Sequence, residues 1–514
     1  MLGLEEHPAF LAACRRWDDE GMIKRLWDGD PTIWGDRSTP ELSNRLGWLR
    51  LHETIRLRDI DKITAPLLDV GLSDVVLLGM GGSSLAPEVF AATHGARGGY
   101  PKLSVLDSTH PHQVRAVRER IDVAHTLFIV ASKSGNTLET LSGFRYFWDE
   151  TRARGQQFIA ITDSGTPLQR LAEERQFRAV ALTPSDVGGR FSALTAFGLL
   201  PSALVGIPLP PILESAAAMA AGSLGEASSN PAIGLGLALG VWAQLGRDKL
   251  CLRTVGRWES FPAWLEQLVA ESLGKHGRGI LPVAGDSGGE AEAEDRLYLA
   301  YKTRRPEAVP GGTLPAPDAA GMGGEMLRAE VATAVAGEVL GVNPFDQPDV
   351  ESAKEHARRA LGSPSDTGPG LDVLSPKLGN WIDDLIRAVP VAGYIAVQAF
   401  LPSLTRERRE LGMVRTRLGD RSGAVTTLGF GPRFLHSTGQ FHKGGPPSGV
   451  FLQIVDRPAG DIPIPEAETS FGKIIRAQAD GDYAALRERG RYVLRLDLGR
   501  DRAAGMAALL EALG

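Results

Sequence analysis

Between residues 56 and 205 the chain alternates five times between a short apolar run and a helical pattern. This alternation limits the fold more than any other feature. The runs cover residues 75–78, 103–106, 126–131, 157–162 and 178–182, and each ends in a polar turn. Such short runs read as strands, and the uninterrupted apolar run 128–131 reads as one buried on both faces. Strands that alternate with helices build a doubly wound parallel sheet. After the junction "GIPLPPILESAAAMAAGS" a second α/β unit is expected, with strands at 250–255, 279–283 and 296–301 and helices over 262–273 and 324–340. The stretch "AGDSGGEAEAED" within it is a polar loop, and "SPSDTGPGLDVLSP" is a Pro/Gly/Ser linker. The tail alternates again, with strands at 393–400, 424–429 and 449–455, a helix over 405–418 and helices at the end. The expected organisation is a helical segment 1–55, two doubly wound domains at 56–210 and 211–362, and an additional α/β region at 363–514.

Two of the turns are unusual in composition. "FIVASKSGNT" passes from a buried strand to Ser132, Lys133, Ser134, Gly135, Asn136 and Thr137, which pack little and offer hydroxyls, backbone N–H groups and one ammonium. A helical pattern then begins at Leu138, so an anion placed there would also meet a helix N-terminus. "VVLLGMGGSSLAPEVF" ends its strand in Gly79-Met80-Gly81-Gly82-Ser83-Ser84, where glycines let backbone approach a ligand closely. The third glycine of a dinucleotide fingerprint is missing, as is the Lys of a nucleotide-binding loop. Two such loops about 50 residues apart suit one phosphate monoester on a small metabolite.

Composition narrows the partners. At 514 residues the chain exceeds what one core serves. A net charge of −6 argues against nucleic acid, so an anionic substrate needs a local basic pocket. Cys14 and Cys251 are the two cysteines, far apart and in no metal spacing, which excludes a disulfide framework and points to a reducing compartment. No run of 18 apolar residues is present, and the first residues resemble neither signal peptide nor anchor. The expectation is a cytoplasmic enzyme with no membrane partner.

Four further segments carry reactive side chains. "DVGGRFSALTAFGLLP" sets Arg190 behind two glycines, where a guanidinium either stabilises an oxyanion or makes a surface ion pair. "WLEQLVAESLGKHGRG" ends a largely apolar helix on Glu271, a place for a partly desolvated general base or for an exposed carboxylate. "GVNPFDQPDVESAKEHAR" carries Gln347, Glu351 and Lys354 on a loop that turns into a helix. "LHSTGQFHKGGPPSGVF" holds His436, Gln440, His442 and Lys443 in a glycine-rich loop, with no third ligand spaced for a metal.

Together, "GMGGSSLAP", "ASKSGNTLET", "DVGGRFSALTAFGL", "AESLGK" and "GVNPFDQPDVESAK", in this order over residues 75 to 355, resemble the glucose-6-phosphate isomerase (phosphoglucose isomerase) family. "NPFDQPDVESAK" and "LHSTGQFHKGG" look most like the isomerase half of bifunctional transaldolase/glucose-6-phosphate isomerase fusions, although no transaldolase half is in this chain. The resemblance implies two sugar-isomerase (SIS) domains and isomerisation of glucose 6-phosphate and fructose 6-phosphate without cofactor or metal. It also implies that Gly82, Ser83, Ser132, Lys133, Ser134 and Thr137 hold the phosphate. Glu271 would move the proton between C2 and C1, Arg190 would stabilise the enediolate, and Gln347 and Lys354 would sit at the sugar and its ring oxygen. A homodimer is the partner state the family implies, unless the added tail supplies the partner's contribution.

One departure stands out. The family's ring-opening His belongs to a Gly-Gln-His motif between the Glu and the Gln/Lys segments, where this chain has His276 alone. A Gly439-Gln440-Phe441-His442 string follows later, so the expected group is His442, with His436 as the other candidate and Glu325 or Glu330 as further polar groups. Activity on mannose 6-phosphate is compatible with the same residues, as is a non-catalytic sugar-phosphate sensor. A glutamine-dependent amidotransferase is not, because Cys14 is internal.

Overall fold

In the computed structural model the described residues are 2–39, 41–285, 293–301, 311–314, 318–349, 355–356, 358–359, 361, 368 and 370–514. Their strands form three sheets, and every pairing between named strands is parallel. The first contains β1 (Asp74–Gly79), β2 (Lys102–Leu106), β3 (Thr126–Ala131), β4 (Phe158–Asp163) and β5 (Ala179–Thr183), in the order β2-β1-β3-β4-β5. All six residues of β3 are buried, as its uninterrupted apolar pattern requires. One face of this sheet carries Phe128, Phe144, Phe147, Trp148, Phe158 and Phe177 in mutual ring contact. Truncating any one of them to Ala is worth about 3–5 kcal/mol.

The second sheet contains β6 (Lys249–Arg253), β7 (Leu281–Ala284), β8 (Arg296–Tyr301) and β9 (Gly311–Leu314), in the order β7-β6-β8-β9. The short, glycine-led β9 was not expected. The third sheet contains β10 (Leu371–Asp372), β11 (Tyr394–Ala399), β12 (Val425–Phe430), β13 (Gly449–Val455) and β14 (Tyr492–Asp497), in the order β10-β14-β13-β11-β12. Two of these strands correct the sequence reading. β10 lies inside the expected linker and pairs with β14, and β14 replaces an expected helix.

The N-terminal segment is helical: its main helices are Pro8–Asp19 and Met22–Trp27, and a helical turn Gly47–Arg50 runs into the short helix Leu51–Thr54. Phe10, Cys14 and Trp17 are buried, and Arg16 and Trp17 both reach Glu338 on the long helix Met322–Leu340, at 2.7 and 3.0 Å. Among the described residues no helix is long and apolar enough to cross a membrane.

The third sheet and its helices pack against both other units. Arg433 donates to Asp107 at 2.8 Å and is also paired with Glu88, both from the first unit. Lys249 and Arg415 cross to and from the second unit, donating to Ala392 O and Ala284 O. The same packing brings C-terminal residues to the crevice described next.

Candidate active site

β1 and β3 are neighbours, with Leu78 opposite Val130 and Gly79 opposite Ala131. The chain leaves β1 toward β2 on one side, whereas β4 and β5 lie on the other, so the direction of winding reverses between β1 and β3. Outside the carboxyl ends of strands at such a reversal lies the crevice where α/β sheets bind ligands. The two donor-rich loops leave the sheet there, side by side.

The loop after β3 is organised by its own hydroxyls. Ser132 Oγ and Thr137 Oγ1 are 2.8 Å apart, Gly135 N–H donates to Ser132 Oγ at 3.1 Å, and Ser134 Oγ donates to Asn136 Oδ1 at 2.6 Å. Thr137 is the N-cap of helix Leu138–Glu150. Lys133 does not join this group: its ammonium is paired with Asp163 at the end of β4 and donates to Pro184 O at 3.3 Å. Burial pulls its pKa down from the usual lysine value, against the opposing pull of Asp163.

The loop after β1 approaches backbone closely, as its glycines foreshadow. A Cβ on Gly82 would stand 2.1 Å from Gly189 O, so Gly82 seats the segment carrying Arg190. Gly81, at φ +52°, faces Gln267 and His436; a Cβ there would lie 2.6 Å from Gln267 Nε2 and 2.9 Å from His436 O. Ser83 is buried beside them.

Helix Phe261–Leu273 starts with Pro262 in its first turn and ends at Gly274. Gln267 and Glu271, four residues apart, share one face of it. Gln267 Nε2 donates to Glu271 Oε2 at 3.0 Å and to His436 O at 2.7 Å. Arg190 Nη1 reaches Glu271 Oε1 at 3.0 Å and Gln347 Oε1 at 2.6 Å. Its Nη2 donates to Pro344 O and Asp346 O at 3.1 and 3.2 Å. Arg190 and Glu271 are 6% and 8% exposed, so this is a buried ion pair, not a surface one.

The Gln347 loop is tied from below. Lys275, fully buried, donates to Asp346 Oδ1 at 2.6 Å and to the carbonyls of Asp346 and Asn343. Burial, with Arg190 nearby, pushes its pKa down to about 8. Gln440 Nε2 donates to Gly274 O at 3.0 Å and to Asp349 Oδ2 at 2.7 Å, and its Oε1 accepts from Asp349 N–H at 2.9 Å. The Gly-Gln-Phe-His string therefore fastens the end of the Glu271 helix to the Gln347 loop. Lys354 and Glu351 lie outside the described residues.

The two histidines separate. His442 is 2% exposed among Tyr394, Phe441 and Phe451, with Nδ1 3.0 Å from Tyr394 Oη. Burial, with the charges of Lys443 and Arg491, pulls its pKa well below the usual value. This corrects the expectation that His442 joins the site: a ring enclosed by aromatic side chains serves as packing. His436 stands in the crevice beside Gly81. Its Nε2 is 3.1 Å from Glu139 Oε1, and its Nδ1 has no hydrogen-bond partner among the described residues. Of the other carboxylates considered, Glu325 is paired with Arg328, and Glu330 is fully buried with neither oxygen bonded among the described residues.

The structure thus brings Gly82, Arg190, Glu271, Gln347 and His436 to one crevice beside the Ser132–Thr137 loop. Sequence reading missed Glu139 and Gln267. Both had a local signal, Gln267 in its i−4 spacing from Glu271 and Glu139 in following the donor loop directly. Among the described residues no group of His, Cys, Asp and Glu is placed to hold a metal ion.

Residues 67–279 match the family model for phosphoglucose isomerase. A probable glucose-6-phosphate isomerase of Haloquadratum walsbyi is 28% identical over 368 residues, 61% of this chain and 85% of that protein. A glucose-6-phosphate isomerase of Prochlorococcus marinus is 27% identical over 442 residues, 72% and 81% of the two chains. In fold, the crystal structure of a glucose-6-phosphate isomerase from Chlamydia trachomatis superposes with a TM-score of 0.53 at 17% identity, over 74% of this chain and 89% of that one. The matched segment holds both donor loops, Arg190 and Glu271, and over this segment the chain is similar to phosphoglucose isomerases.

Proposed function

We infer that the chain interconverts glucose 6-phosphate and fructose 6-phosphate by ring opening and proton transfer through an enediolate. The observation that carries this is Arg190 held between Glu271 and Gln347 in the crevice beside a loop of hydroxyl and amide donors. The Ser132–Thr137 loop, with Gly82 and Ser83, receives the 6-phosphate, which leaves C1 and C2 to reach Glu271. Glu271 takes the proton from C2 of the open aldose and returns it to C1, while Arg190 neutralises charge that develops on the enediolate oxygen. The family's pattern puts Gln347 and Lys354 at the sugar and its ring oxygen.

Ring opening moves a proton from the anomeric hydroxyl to the ring oxygen, and His436 is the group proposed to carry it. Its place beside Gly81 and its carboxylate partner Glu139 support this role over His442. The strings "NPFDQPDVESAK" and "LHSTGQFHKGG" support the narrower proposal that the chain groups with the isomerase half of transaldolase fusions. A coupled assay that converts fructose 6-phosphate to glucose 6-phosphate tests the function. Turnover at ordinary enzyme rates is expected, and sugar-phosphate binding without turnover would make the protein a sensor.

A further inference from the structure

Helix Phe471–Glu488 belongs to the C-terminal region, yet one of its side chains reaches the crevice. Ser470 caps the helix by accepting Lys473 N–H at 3.3 Å, and Gln478 lies two turns in, on the buried face with Ile474 and Ile475. Gln478 Nε2 donates to Glu139 Oε1 at 2.6 Å, the same oxygen that faces His436 Nε2 at 3.1 Å. Thr109 Oγ1, fully buried, donates to Gln478 Oε1 at 2.6 Å. A carboxylate only accepts, so Glu139 takes the NH₂ end of Gln478, and the Thr109 hydroxyl, which can donate or accept, donates to the oxygen at the other end. The result is a chain Thr109–Gln478–Glu139–His436 that crosses three times between the first sheet unit and the C-terminal region.

We propose that Gln478 is a positioning residue for ring opening: it holds the Glu139 carboxylate against His436 Nε2, so that Nδ1 is the nitrogen presented to the sugar. The chemistry of the amide supports this assignment. It stabilises the ionised form of Glu139 without competing for a proton, and an ionised Glu139 accepts from Nε2–H and fixes the tautomer. His436 is also held from behind, because its carbonyl accepts from Gln267, the side chain that bonds Glu271. The ring-opening group and the proton-transfer base are thereby set at a fixed separation by side chains that touch neither reacting carbon.

The proposal rests on His436 as the ring-opening group, and the two claims are tested separately. Ring opening alone is read by NMR exchange between the α and β anomers of glucose 6-phosphate. Proton transfer alone is read by C1 hydrogen exchange in D₂O on 5-deoxyfructose 6-phosphate, which cannot close a ring. Gln478→Met keeps length and removes the donor. Loss of a hydrogen bond to a charged group predicts a fall of roughly tenfold or more in anomer exchange, with C1 exchange on the deoxy analogue and KM within about twofold of wild type. Gln478→Glu sets two carboxylates against each other and is expected to lower anomer exchange further. Equal loss in both readouts would reduce Gln478 to a fold-holding residue, and no loss in either would also overturn the proposal. His436→Asn, measured alongside, must abolish accelerated anomer exchange; if it does not, the ring-opening role of His436 itself falls, whatever Gln478→Met does.

Discussion

Arg190 and Glu271, 81 positions apart in the sequence, meet at 3.0 Å with both side chains buried. A buried pair of this kind is a weak source of stability, but breaking it is expensive, because the remaining charge has neither water nor partner. Its geometry suits a reaction in which a carboxylate must be ready to accept a proton while negative charge grows on a neighbouring oxygen.

Arg190→Lys tests that geometry. A lysine cannot reach Glu271, Gln347 and the carbonyls of Pro344 and Asp346 together from one planar fork. We expect kcat to fall by about 10²–10³-fold, the range for removing one preorganised donor from a developing oxyanion. Steady-state kinetics with a thermal melt checks this, since a folded variant with near-normal kcat would remove Arg190 from the reaction.

Lys133 was legible in the sequence as the one cation among neutral donors, yet its ammonium is engaged by Asp163 and Pro184 O. The phosphate is therefore expected to rely on the hydroxyls and backbone N–H groups of residues 132–137. Lys133→Met should raise KM less than threefold and lower stability by about 1–3 kcal/mol, the penalty for leaving a buried partner unsatisfied. A KM increase of tenfold or more with unchanged stability would restore Lys133 as the principal anion contact.

What else was legible follows from chain separation. The β3 strand and its loop, the Glu271 helix and the Arg190 segment are local strings in which strand, turn and functional group lie within about 20 residues. The Glu139 contacts with His436 and Gln478 span 297 and 339 residues, and no local pattern announces them. The string containing His442 misled because its Gln440 binds Gly274 O and Asp349, a scaffold role carried by a motif that looks catalytic. β14 was read as helix because Arg495 and Asp497 interrupt its apolar run. Both are buried: Arg495 donates to Gln453 and Asp480, and Asp497 accepts from Arg457.

His442→Phe separates the two histidines. Its ring fills space between Tyr394 and Phe451, so a phenyl of similar volume should preserve kcat within about twofold while the Tyr394 hydroxyl loses its partner, at about 1–3 kcal/mol. Assay and melt on the same preparation check this. A fall in kcat of a hundredfold in a folded protein would return His442 to the chemistry.

Glu266 provides a pH signature. Burial, partly offset by Arg433 and Arg415, pushes its pKa up to about 7. The folded state then holds this proton more tightly than the unfolded chain, whose carboxyl titrates near the ordinary value. Stability should therefore fall as pH rises from about 4.5 to 7 and level off above that. Glu266→Gln removes this contribution, so wild type and variant should converge near pH 4, with the variant more stable near pH 8 by up to about 3 kcal/mol. Denaturant midpoints at the two pH values decide it, and an equal difference at both would assign no titration to Glu266.

The most direct test of the account is Glu271→Gln, assayed both for isomerisation and for exchange of the substrate C2 hydrogen with D₂O. The amide keeps the volume and, through its oxygen, the contact to Arg190; its NH₂ replaces the oxygen that accepts from Gln267, and it accepts no proton at neutral pH. A positioned base contributes roughly 10²–10⁴-fold, and with abstraction at carbon as the difficult step we expect a loss at or above the upper end. C2 exchange should fall in parallel with kcat, and affinity for 6-phosphogluconate should stay near wild type. Turnover within about tenfold of wild type, or slow isomerisation with C2 exchange untouched, would contradict the assignment of Glu271 as the base and move that role to another carboxylate, with Glu325 and Glu351 the next to test.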